Sequence, residues 1–101
     1  MNPYRDLLEE AYQSRAPKAW KRLQEEGKAH QLVEDLAEEA LEVQRMTMQG
    51  LAEKSPLPEE YLARVQRLNQ DRDTAREIAR EQAIEQIPNE EELEESEDLL
   101  L

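Results

Sequence analysis

Hydrophobic residues recur along this chain at three- and four-residue steps, the spacing that lines one face of an α-helix, and prolines or glycine separate the stretches. Asn2-Pro3 reads as an N-cap followed by proline in the first turn, and Tyr4, Leu7, Leu8, Ala11 and Tyr12 then form a short amphipathic stripe. Ser14-Arg15-Ala16-Pro17 interrupts it, because a proline ring pushes the preceding residue out of helical geometry. A second stripe, Ala16, Ala19, Trp20 and Leu23, ends at Gly27, where glycine suits a left-handed C-cap.

Two longer patterns follow. From Lys28 to about Ala52 the periodic positions are Ala29, Leu32, Val33, Leu36, Ala37, Ala40, Val43 or Leu41, Thr47 or Met48, and Leu51. Ser55-Pro56-Leu57-Pro58 stops that helix, and Glu59 and Glu60 favour the positive end of the next. The next helix is expected from about Pro58 to Gln86, with Tyr61, Leu62, Val65, Leu68, Ala75, Ile78, Ala79, Ile84 and Ile87 inward, and Asn69 and Arg72 close to the seam. The pattern thus predicts an all-α fold: two short N-terminal helices packed on a long antiparallel αα-hairpin. The helical domain spans residues 1–87, and residues 88–101 form an acidic tail expected to be disordered, because so few apolar groups cannot offset the entropy of ordering it.

Composition narrows the chemistry. A chain of 101 residues has room for one modest core. The absence of cysteine excludes disulfides, thiolate metal sites and cysteine nucleophiles. No apolar run approaches the roughly 18 residues that span a bilayer, and Met1 to Asp6 lacks a signal-peptide core, so no membrane association and a cytoplasmic location are expected. The formal charge is −12, and seven acids without a base fall between Glu90 and Asp98.

Catalytic constellations are poorly supplied. Glu34, Glu38 and Glu42 share a ridge at four-residue spacing, but a catalytic pair needs a cleft that separates two pKa values, and a solvated face is the simpler reading. His30, the one histidine, has Glu26 and Glu34 at four-residue steps; Gly27 breaks that helix, and no second histidine completes a metal site. No glycine-rich phosphate loop occurs. The expectation is a non-enzyme without cofactor or metal.

The charge pattern of the second long helix is more informative. Arg64, Arg72, Arg76 and Arg80 fall on one ridge, with Arg67 alongside. They are expected either to pair with Glu34, Glu38 and Glu42 across the hairpin, at about 1 kcal/mol or less each, or to contact a partner, including nucleic-acid phosphates. The interleaved Asp71, Asp73, Glu77 and Glu81 make a nucleic-acid backbone the poorer fit. Trp20, beside Arg15, Lys18, Lys21, Arg22 and Lys28, is read as a core anchor. Alanine-rich helix faces permit a homodimer, and the acidic surface extends through Glu90, Glu91, Glu92, Glu94 and Glu95 into a tail ending Leu99-Leu100-Leu101.

Several short motifs, in order, resemble the TnpV proteins encoded on bacterial mobilisable transposons: Arg15-Ala16-Pro17; Leu23 with Gly27-Lys28; Glu38-Glu39-Ala40; Gly50-Leu51-Ala52-Glu53; Glu60; Arg67-Leu68-Asn69; and Ala75-Arg76-Glu77-Ile78. The resemblance spans about Tyr12 to Ile87 and is that of a diverged member, since Ala29-His30-Gln31 and Ser55-Pro56-Leu57-Pro58 depart from the family pattern. It implies an accessory protein of a mobile element and brings no catalytic residues. Three functions are therefore expected, in this order. The first is a non-catalytic helical adaptor or regulator acting through protein–protein contacts. The second is an acidic nucleic-acid mimic inhibiting a DNA- or RNA-binding enzyme such as a CRISPR or restriction effector. The third is a DNA-binding accessory protein using the arginine ridge.

Overall fold

A computed structural model describes residues 2–90. Residues 91–101 of the tail expected to be disordered, with the acids Glu91, Glu92, Glu94 and Glu95, lie outside the described residues; its first residues, 88–90, are described and half-buried. Four helices follow one another: α1 (Arg5–Arg15), α2 (Pro17–Glu25), α3 (Ala29–Lys54) and α4 (Tyr61–Glu85). Among the described residues there is no strand. The all-α class and the α3–α4 hairpin agree with the sequence pattern, and α1 and α2 form a layer against one half of that hairpin.

The breaks between helices have local causes. Ala16 is held at φ −141° by the following proline, which ends α1 and starts α2. Gly27, at φ +72°, closes α2 in a Schellman arrangement: the Gly27 N–H donates to the Gln24 carbonyl and the Lys28 N–H to that of Leu23. Ser55, before Pro56, is extended, so α3 runs to Lys54, two residues beyond expectation. Helix α4 begins at Tyr61 rather than Pro58, because the Glu60 carboxylate accepts from the Ala63 N–H and caps the helix there. Asn2 does not cap α1 directly. Its side chain accepts from the Tyr4 N–H, closing a turn through Pro3 that leads into Arg5.

Alanines make the seam of the hairpin. Ala37 and Ala40 on α3, and Ala75, Ala79 and Ala83 on α4, are all buried, which lets the two backbones approach closely. The bulk of the core comes from Tyr4, Leu8, Tyr12 and Trp20 of the N-terminal layer, with Val33 and Ile87. The Tyr12 and Trp20 rings lie 5.6 Å apart and tilted, confirming Trp20 as a core residue.

This core occupies only one half of the hairpin. The farthest hydrogen bond between the N-terminal layer and α3 runs from the Tyr4 hydroxyl to Gln44 Oε1 at 2.5 Å. Beyond it, residues 41–72 form a two-helix arm with its connecting loop, and the one buried residue in that span is Asp71. Tyr61, Leu62 and Leu68, read from the sequence as inward-facing, are exposed here, as are Leu41 and Met46. Helical periodicity placed the α4 residues on one face; among the described residues nothing covers that face along the arm.

Candidate functional site: the arginine ridge and the hairpin arm

Asn69 and Arg72 are exposed, and the polar residues of the seam are Asp71 and Arg67 instead. The Arg67 Nε donates to both Asp71 carboxylate oxygens at 3.1 Å, one turn away. Its guanidinium also crosses to the end of α3, donating to the Ser55 carbonyl at 2.8 Å, to the Ser55 hydroxyl at 3.2 Å and, more distantly, to the Leu51 carbonyl at 3.4 Å. Arg67 thus ties α4 to the C-terminal end of α3, chiefly through the Ser55 carbonyl, while neutralising Asp71; the Leu51 carbonyl also accepts from the Ser55 N–H. Of the five arginines singled out by the sequence, this one is committed internally.

The others remain outward. Arg64, Arg72, Arg76 and Arg80 are exposed and make no hydrogen bond or ion pair among the described residues. The expected pairing with the acidic ridge across the hairpin does not occur, because that ridge turns elsewhere. Glu34 meets Arg5 of α1 at 2.5 Å, with His30 at 3.9 Å, and Glu42 pairs with Arg45 one turn along α3. Glu38 stands exposed, and the Glu90 carboxylate accepts from the Lys18 backbone N–H. Hydrogen bonding from Arg45 holds the Glu42 carboxyl below its ordinary pKa.

Arg76 and Arg80 border a recess completed by Pro3, Tyr4 and Glu77. Burial raises the pKa of the Tyr4 hydroxyl, and the positive charge of Arg76 partly offsets that rise. Tyr61, Val65, Leu68, Arg72 and Arg76 recur at three- and four-residue steps, so they share one face of α4. Because its lower end faces Tyr4, this is the face that α1 covers near the core and leaves open along the arm.

A second recess, about 300 Å³, lies between Arg5, Glu9, Trp20, Gln24, Gly27 and His30. There the Arg5 Nη2 approaches His30 Nδ1 at 2.6 Å. Among the described residues no group of three or more His, Cys, Asp or Glu side chains is placed to hold a metal ion. No described helix is long and apolar enough to cross a membrane.

Sequence reasoning missed the Arg67–Asp71 clasp, although Arg-x-x-x-Asp is a four-residue pair that a helix brings together. Its internal role required knowing that the end of α3 lies beside it. Comparison with family models, curated proteins and solved structures finds no match for this chain.

Proposed function

We propose that this protein is a non-catalytic helical adaptor or regulator that binds a protein partner through the open face of its hairpin. One observation carries the reading. In a chain with 25 acidic residues, Arg72, Arg76 and Arg80 stand exposed on one ridge without a carboxylate partner among the described residues. Surface cations usually gain little from pairing, yet acids are abundant enough here that a whole unpaired row is notable. The adjoining apolar positions give the row what a protein interface needs, a greasy centre beside a charged rim.

The interleaved Asp73 and Glu77 oppose a nucleic-acid backbone and suit a protein surface of mixed charge. The mobile-element setting rests on the TnpV resemblance alone. Genes encoding transposition or mobilisation functions beside this one are its expected signature.

The test is capture of a partner from the native host by the tagged full chain. Replacing Arg72, Arg76 and Arg80 together by Glu should abolish recovery while the circular-dichroism spectrum stays helical. Undiminished recovery by that variant rejects the face.

A further inference from the structure

We infer that the hairpin arm is a self-association surface, on which a second copy of this chain packs antiparallel, tip to base, to form a four-helix bundle. The inference rests on the proposed binding role of this face and names its occupant.

The arm lacks a core of its own. Across residues 41–72 only Asp71 is buried, and all the exposed large hydrophobics among the described residues fall there: Leu41, Met46, Tyr61, Leu62 and Leu68. Tyr61 and Leu62 are 75% and 65% exposed. Two helices that bury so little against each other are marginal in water, and packing against another helical pair is the ordinary remedy.

Charge identifies the occupant. The chain carries −12, so two copies repel each other over most of their surface. Residues 41–72 are the exception, holding five acids (Glu42, Glu53, Glu59, Glu60, Asp71) and five bases (Arg45, Lys54, Arg64, Arg67, Arg72). A like copy can approach this neutral stretch, where the apolar side chains also concentrate.

Along the open face of α4 the charge is polarised. The tip carries Glu59 and Glu60 with Lys54 nearby, and the base leads into Arg72 and Arg76, from which Asp73 and Glu77 are turned about 100° around the helix. From Glu60 to Arg72 is about 18 Å along the helix at 1.5 Å per residue. An antiparallel copy centred near Val65 and Leu68 therefore sets each acidic tip against the other chain's arginines, with apolar side chains between. A parallel copy would oppose like charges at both ends.

The test uses the full chain and two variants. One, R72E/R76E, reverses the base; the other, E59K/E60N, reverses the tip and retains an asparagine as N-cap of α4. Molar mass is followed by sedimentation equilibrium from about 1 to about 300 μM, the range for an interface smaller than the standard size. The unaltered chain should reach twice the monomer mass. Each variant alone should dimerise at least tenfold more weakly, because its own tip and base now repel, and an equimolar mixture should recover the affinity as a heterodimer.

A variant with Tyr61→Ser and Leu68→Ser should be monomeric throughout while remaining helical. A monomeric unaltered chain overturns the inference, and Arg-dependent capture of a different partner would then leave the binding role standing. A dimer indifferent to either charge reversal overturns the antiparallel arrangement. Dimerisation of the reversed-charge variants alone, without gain on mixing, does the same.

Discussion

Replacing Arg67 by Met should be among the most damaging single changes in the arm. Side-chain exposures of 22% for Arg67 and 11% for Asp71 place the pair between the surface and the interior. Stripping the partner from a fully buried charge costs about 3–5 kcal/mol, and surface pairs contribute about 1 kcal/mol or less; the Asp71 position argues for about 2–3 kcal/mol. Loss of the guanidinium also leaves the Ser55 carbonyl without its donor, which is included in that figure. For a domain of this size the midpoint of thermal unfolding should fall by about 8–24 °C, at about 4–8 °C per kcal/mol. Asp71→Leu should cost less, about 1–2 kcal/mol, because Arg67 keeps the Ser55 carbonyl at 2.8 Å. The double variant should recover much of the loss, since an apolar pair of similar volume leaves no uncompensated charge. Thermal and urea unfolding followed by circular dichroism would complete the cycle, with protein concentration fixed because any dimer adds to apparent stability. Strict additivity of the two single changes would refute the clasp.

Other substitutions probe separate parts of the structure. Leu8→Ala removes a side chain with no exposed surface, and should destabilise by about 2–5 kcal/mol in urea unfolding. Gly27→Ala meets no atom within 4 Å of the new Cβ, so its cost is the left-handed backbone alone, about 1–2 kcal/mol, and Gly27→Asn should cost less. Tyr4 has its pKa raised in the folded state, so the stability it contributes is complete below the ordinary tyrosine pKa and is lost as pH rises through the raised value. Tyr4→Phe should flatten that alkaline decline, and Arg76→Gln should raise the Tyr4 pKa further in a phenolate absorbance titration.

The helices were legible in the sequence because their signals are local: Pro17 and Pro56 act on the residue before them, and Gly27 supplies the conformation a Schellman cap requires. The hairpin followed from two long periodic stretches joined by a short loop. Burial along α4 was not equally legible. Periodicity gives Leu68 and Ala75 the same orientation, but it does not report where the covering helices stop, and α1 stops near Gln44 and Arg76. The fate of the arginine ridge was hidden for a similar reason. Which acids it meets depends on how α1 lies, since Arg5 takes the Glu34 that the ridge was expected to find.

That placement of α1 links the fold to the proposed function. The N-terminal layer supplies the aromatic bulk that the alanine seam lacks, and it reaches only part of the hairpin. Arg67 and Asp71 supply for the arm the cross-helix tie that bulky core residues supply below. A polar clasp has a consequence that a greasy core would not: it fixes the orientation of α4 against the end of α3 while leaving Tyr61, Leu62 and Leu68 unburied. The arm can then be ordered before it is covered, which lowers the entropy lost on binding. If so, breaking the clasp should weaken dimerisation as well as stability, although neither residue is proposed to touch the second copy. Asp71→Leu, the milder change, gives the cleaner measurement: at a temperature where the variant remains folded, its dimer should dissociate at lower dilution than that of the unaltered chain. Equal dimer affinities at matched helicity would show that the arm's order does not depend on the clasp.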